Sequence, residues 1–247
     1  MDEKDVYKRF DILSEPAVKL AKKGKRRQAI KFLEKIAREN DRQIYYLAQI
    51  DIGACLEGLG KDKEAIERYQ SIPESDFELY THAQFRLAGL LIRLRRMDEV
   101  QAIYDKLSSY TPLTADMKNS LGHLLDKLNK TEEAIQLLNS ITRSDGLEIY
   151  VTAKTNQAML LGKLKRYDEI LPICYSITKD AGSELYGKAR LLLGDALDNL
   201  GQKEESFNVF NSISKEDDES YRQARFELFT RFPLKTIKQC ISNLFAR

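Results

Sequence analysis

The stretch Ala48–Ile72, AQIDIGACLEGLGKDKEAIERYQSI, reads as two antiparallel helices joined by a tight turn. Ala48, Ile52, Gly53, Leu56 and Leu59 recur at helical spacing, and Gly60 breaks the run. Asp62 is placed to cap the second helix, which carries Ala65, Ile66, Tyr69 and Ile72 on one face. Gly53 and Ala65 are small because helices that cross closely leave no room for a large side chain between their backbones. A pair of this kind cannot bury its hydrophobic face alone, so it calls for neighbours built the same way.

The sequence supplies them. Equivalents of Ala65 stand at Ala29, Val100, Ala134, Ile170 and Ser206, at intervals of 34 to 36 residues. Seven residues after each comes an apolar position: Ile36, Ile72, Leu107, Ile141, Ile177 and Ile213. Twelve residues before each comes a small one: Ala17, Gly53, Ala88, Gly122, Ala158 and Gly194. A Tyr three residues before an Ala marks where units begin, at Tyr45, Tyr80, Tyr150, Tyr186 and Tyr221, with Thr114 and Met117 substituting in one unit. These rings are expected to pack between units with their hydroxyls near water.

Composition agrees with a helical array of high surface-to-core ratio: charged residues are 32%, hydrophobic ones 43%, with 12 Gly, 5 Pro and no Trp. A net charge of +2 is too small for a global attraction to nucleic acid or anionic membrane. Cys55, Cys174 and Cys240 are odd in number and form no CxxC, which argues against a disulfide framework and for a reducing compartment. The charged start MDEKDVYKRF lacks the apolar core of a secretory signal, so the expected location is cytoplasmic. The longest apolar run, 87–92, is far too short to cross a membrane.

The spacing of small and apolar residues resembles the tetratricopeptide-repeat (TPR) family, whose unit is about 34 residues long. Over residues 14–232 the chain keeps that family's small residues near the eighth and twentieth positions and its large apolar one near the twenty-fourth. Several units are longer than that period, and the Pro usual after the second helix is missing, with Pro73 and Pro112 the nearest approximations. The resemblance implies an all-α fold, a right-handed α-solenoid of about six TPR-like helix pairs with a C-terminal capping helix. It forms one array over 1–247: an irregular N-terminal unit 1–40, repeats 41–215, and a cap 216–247.

First helices are expected near 42–59, 76–94, 114–128, 147–164 and 184–200, and their partners near 62–72, 97–109, 131–142, 167–178 and 203–214. Thr131 is placed to cap the helix that follows it. In the N-terminal unit Pro16 predicts a break, with a separate short helix over 3–13, Ser14 as cap and Pro16 in the first turn of the next helix. At the other end Leu234, Ile237, Ile241, Leu244 and Phe245 form an apolar stripe. That stripe is expected to cover Phe207, Phe210 and Ile213, the rival being contact with a second copy in a homodimer.

No phosphate-cradling glycine loop, HExxH, GxSxG or metal-spaced Cys/His cluster occurs, and the chain has two His, so no enzyme, cofactor or metal is expected. By resemblance, the first helices line a concave groove for a protein or peptide partner. The inward positions give Ile50, Asp51, His82, Phe85, Arg86, Asn119, His123, Asn156, Met159, Lys188 and Leu191. Asn119 and Asn156 suit a peptide backbone because an amide both donates and accepts, while Phe85, Met159 and Leu191 offer apolar contact. The chaperone-binding members' carboxylate clamp is not met, because Asp51 and Ser14 stand where its basic and amide groups belong. The leading reading is therefore an adaptor that positions a partner in a larger assembly.

A second site is a run of cations in the first unit, Lys22, Lys23, Lys25, Arg26 and Arg27, extended by Lys19, Lys31, Lys35 and Arg38 and opposed only by Glu34. It keeps a regulatory or RNA-associated role as the alternative, with nucleic acid ranked below protein as partner. A bacterial immunity or toxin-neutralising protein would use the same kind of surface.

Overall fold

The computed structural model describes residues 3–39, 41–236 and 238, and every regular element among them is helical. The chain forms two compact units, Met1–Thr111 and Pro112–Arg247. The first contains α1 (Glu3–Lys22), α2 (Arg26–Glu39), α3 (Arg42–Glu57), α4 (Asp62–Gln70), α5 (Phe77–Arg93) and α6 (Met97–Ser108). The second contains α7 (Ala115–Lys127), α8 (Thr131–Asn139), α9 (Leu147–Lys163), α10 (Tyr167–Tyr175), α11 (Ser183–Asn199), α12 (Lys203–Asn211) and α13 (Asp218–Arg231). Single 3-10 turns lie at Arg143–Asp145 and Lys179–Ala181. Within each unit every helix packs on the next, and first helices also pack on one another: α1 on α3 on α5, and α7 on α9 on α11 on α13. Helix ends fall within three residues of expectation for the ten helices of 42–214.

The turns inside the pairs explain why the repeat holds. Gly24, Gly60, Arg95, Asn129, Lys165 and Gly201 all adopt positive φ, between 59° and 80°. After each, a backbone N–H reaches back five residues: Lys25 to Leu20, Lys61 to Leu56, Arg96 to Leu91, Lys130 to Leu125, Arg166 to Leu161 and Gln202 to Leu197, at 2.8–3.0 Å. This is the Schellman closure, which satisfies carbonyls that a helix end otherwise leaves open. Glycine marks three of the six positions and Asn a fourth; Arg95 and Lys165 carry no such mark. A left-handed conformation costs an L-residue roughly 1–2 kcal/mol. Lys165→Gly should therefore stabilise the second unit by about 0.5–1 kcal/mol in urea unfolding, whereas Gly at exposed positions inside a helix destabilises.

The same turns displace two caps. Asp62 and Thr131 are the first helical residues, and the cap positions are Lys61 and Lys130, whose side chains do not cap. The Schellman bond fixes the cap one residue earlier than the sequence suggests. Thr131 instead donates its hydroxyl to Asp126 Oδ1 at 3.0 Å. The second helices also stop early. Ser71, Ser109, Ser140, Ser176 and Ser212 each donate a hydroxyl to the carbonyl three residues back at 2.7 Å, occupying an acceptor the next turn would have used.

Packing follows the small-residue rule. A Cβ on Gly53 would lie 2.6 Å from the Tyr69 ring, one on Gly194 2.6 Å from the Phe210 ring, and one on Gly122 3.1 Å from Leu138. The occupant in each case stands four residues after the anchor. Ala29, Ala65, Val100, Ala134, Ile170 and Ser206 are all buried. Ser206 satisfies its hydroxyl by donating to the Gly194 carbonyl at 2.8 Å, which also ties the two helices at their crossing.

The N-terminal end departs from expectation. Helix α1 runs unbroken through Ser14 and Pro16, so the predicted break is wrong. Pro16 sits on the exposed face, and Ile12, whose carbonyl loses its helical donor, is 69% exposed, so water can replace the missing bond. Ser14 is buried and points its hydroxyl at the Asp11 carbonyl. Ala224 and Leu228 of α13, with Phe232 just beyond, pack on Leu191, Phe207, Phe210 and Ile213. Those residues thus cover the positions assigned to the C-terminal stripe, and Leu234 of that stripe is 76% exposed. Its other members, Ile237, Ile241, Leu244 and Phe245, lie outside the described residues.

Candidate partner-binding faces

In the first unit the face formed by α1, α3 and α5 presents Asp51, His82, Phe85 and Arg86, with Val18, Ala54 and Gly89 among them. Ile50 does not join them: it is 2% exposed and belongs to the core, because its helix is flanked on both sides. Arg86 Nε lies 3.5 Å from His82 Nε2. Burial and then that guanidinium hold His82 below the usual imidazole range, so it stays neutral and available as an acceptor. Burial pushes the Asp51 carboxyl up, Arg86 pulling it partly back.

Asp51 also lines a cleft of about 350 Å³ between α1, α2 and α3, with Ala17, Val18, Ala21, Lys22, Arg26, Leu33, Ala54 and Cys55 as its other walls. One member of the groove set and two of the basic set thus meet in one concavity. Sequence periodicity kept those sets apart. Val18 was legible, since it stands 36 residues before Ala54 and so at the same inward position. Lys22, Lys23, Lys25 and Arg27 are exposed and Arg26 is half-buried. Among the described residues none of these five forms an ion pair.

In the second unit Asn156 Nδ2 donates to Asn119 Oδ1 at 2.9 Å, joining α9 to α7. His123 is exposed one turn along, and Met159 is 56% exposed beside Asn156 on α9. Lys188 is held by Glu184 at 2.5 Å on its own helix. Leu191 is 7% exposed and packs in the core under α13, so it is not a contact position. Phe226, an inward position by the same register, and Phe229 of α13 are 65% and 63% exposed.

The basic residues at the turns have a different use. Arg93 reaches Asp62 at 2.7 Å, Lys163 reaches Asp126 at 2.7 Å, Arg166 reaches Glu132 at 2.8 Å, and Arg231 reaches Asp195 at 2.7 Å and Asp198 at 3.0 Å. Each pair ties one helix pair to its neighbour. For Asp126, burial raises the carboxyl, but hydrogen bonds from Lys163 and Thr131 outweigh it and the net shift is downward. A folded-state pKa below the unfolded one means stability that is present above the usual carboxylate range and lost as pH falls through the folded value. Asp126→Asn should cost about 1–2 kcal/mol at neutral pH, a value discounted for partial exposure, and should remove part of the acid-induced loss as pH falls through and below the usual carboxylate range. Urea unfolding across that range checks both.

The described residues contain no group of three or more His, Cys, Asp or Glu arranged for a metal ion. Cys55 and Cys174 are free and buried, and burial pushes the Cys174 thiol up to about 12, away from thiolate chemistry. No helix among the described residues is long and apolar enough to cross a membrane. Residues 115–145, which comprise α7, α8 and the turn after them, match the model of the tetratricopeptide repeat family. No curated protein matches the chain. The turn closure and crossing geometry of that segment recur in the pairs before and after it, so the chain is an all-α protein of repeated helix pairs, one of which is similar to a tetratricopeptide repeat.

Proposed function

We propose that the protein is a non-enzymatic adaptor that holds an extended or helical peptide against its first helices and positions it within a larger assembly. The observation that carries this reading is the Asn119–Asn156 pair. One amide hydrogen bond locks the two side chains together and leaves Asn119 Nδ2 as a donor and Asn156 Oδ1 as an acceptor. A peptide group needs one of each. Exposed Met159 offers the adaptable apolar contact expected beside such a clamp. The free, buried thiols are in keeping with a reducing, cytoplasmic setting.

Quantitative affinity capture with the wild type and with Arg86→Glu, Asn119→Ala and Asn156→Ala combined tests the reading. The triple variant should lose its principal partners at least about tenfold, equivalent to about 1.4 kcal/mol. An unchanged partner profile would remove both units' first-helix faces from the account.

A further inference from the structure

We propose that the cleft between α1, α2 and α3 is the anchor point for the partner, and that it takes an apolar side chain flanked in the partner by acidic residues. This rests on the interaction reading above and narrows it to one place and one partner chemistry. Val18, Ala21 and Ala54, none of them buried, line the cleft with small apolar side chains that leave about 350 Å³ open. That is the low end of the range for ligand sites, suited to a side chain and not to a folded element. Lys22 and Arg26 form one rim, and Lys23, Lys25 and Arg27 continue the positive surface beyond it, none of them ion-paired among the described residues. Charge of one sign beside an apolar cavity selects partners of the opposite sign, mainly through encounter rate and specificity.

Two features favour an acidic peptide over nucleic acid. No aromatic side chain lines the cleft, so a base entering it would find no stacking platform. Most of its lining is aliphatic, Ala17, Val18, Ala21, Leu33 and Ala54, which receives an apolar side chain and offers a phosphate chain no donor.

The test measures retention of the full-length protein on an array of short synthetic peptides whose central residue is Leu, Phe or Ser, flanked by Glu, Gln or Lys. Acid-flanked Leu or Phe peptides should exceed both acid-flanked Ser and Gln-flanked Leu peptides at least about tenfold. Ala54→Phe fills the cleft from α3, and Val18→Trp fills it from α1 should the first variant disturb its helix; either should erase the preference for an apolar centre. Lys22→Glu with Lys23→Glu, both exposed, should turn the flank preference from Glu to Lys. Equal retention of all classes, or preferences untouched by these variants, overturns the proposal. Tighter binding of a short single-stranded RNA, released steeply by salt, also overturns it. Asn119→Ala with Asn156→Ala on the same array separates the two readings. Loss there without an effect of Ala54→Phe defeats the cleft alone, and no effect of either set defeats both.

Discussion

Phe210→Ala lowers the stability of the second unit by about 3–5 kcal/mol, and Gly194→Leu lowers it by about 1–3 kcal/mol or more, yet the two together cost less than their sum. Phe210 is 1% exposed and is packed by Leu191, Ala224, Leu228 and Phe232, so truncation removes a large apolar body and leaves a cavity. Its ring occupies the space where a Cβ of residue 194 would stand, 2.6 Å away, so any side chain there collides with it. Removing the ring vacates the space the leucine needs, and the double variant should recover about 0.5–3 kcal/mol of coupling. Hydrogen exchange across Ser183–Asn211 reads this locally, which matters because an array of repeats need not unfold in one step. Additive costs would mean that the glycine is not there to receive the ring. Gly89, where an added Cβ would meet nothing within 4 Å, supplies the control: Gly89→Ala should gain up to about 1 kcal/mol from helix propensity.

Arg231→Met has the second largest expected effect. The guanidinium reaches Asp195 at 2.7 Å, Asp198 at 3.0 Å and Glu227 at 2.7 Å. Without it three carboxylates share one site with no cation. Breaking a fully buried pair costs about 3–5 kcal/mol, and because Arg231 is 29% exposed the loss here should be nearer 2 kcal/mol at neutral pH. Burial already holds the Asp195 carboxyl above its usual range, Arg231 opposing that shift. Removing the cation raises the folded-state value of Asp195 further above its unfolded one. Such groups bind protons more tightly in the folded state, so the deficit is largest above the folded value and shrinks as pH falls through it. The variant should therefore approach the wild type as pH falls from neutral towards the usual carboxylate range, whereas a loss of packing alone would leave a gap independent of pH.

How much was legible follows from what each signal encodes. Period and small-residue spacing report helix crossings, which recur in every pair, so the helices of 42–214 and their buried anchors could be read directly. The turn chemistry could be read only where glycine or asparagine carried it; Arg95 and Lys165 adopt the same conformation without showing it. Pro16 misled because a proline inside a helix is costly where its missing bond is buried, and here the affected carbonyl belongs to an exposed residue. At the candidate site, the inward register placed Asp51, Phe85, Arg86, Asn119 and Asn156 on the first helices but also returned Ile50 and Leu191, which are buried. A helix face in contact with two neighbours has a narrower exposed stripe than a four-position rule assumes. The cleft was hidden because it needs three helices at once, and periodicity describes one helix at a time.

Photo-crosslinking from single sites in the full chain tests the central claim, that the first helices hold the partner, most directly. A benzoylphenylalanine in place of Met159, on a first helix, is matched by one in place of Tyr175, on a second helix; these positions are 56% and 54% exposed. Equal exposure removes accessibility as a reason for any difference. The account predicts crosslinks to one shared partner from position 159 and from a third probe in place of half-buried Phe85 on α5, and none to it from position 175. Crosslinking to that partner from position 175 alone, or equally from all three, would contradict it.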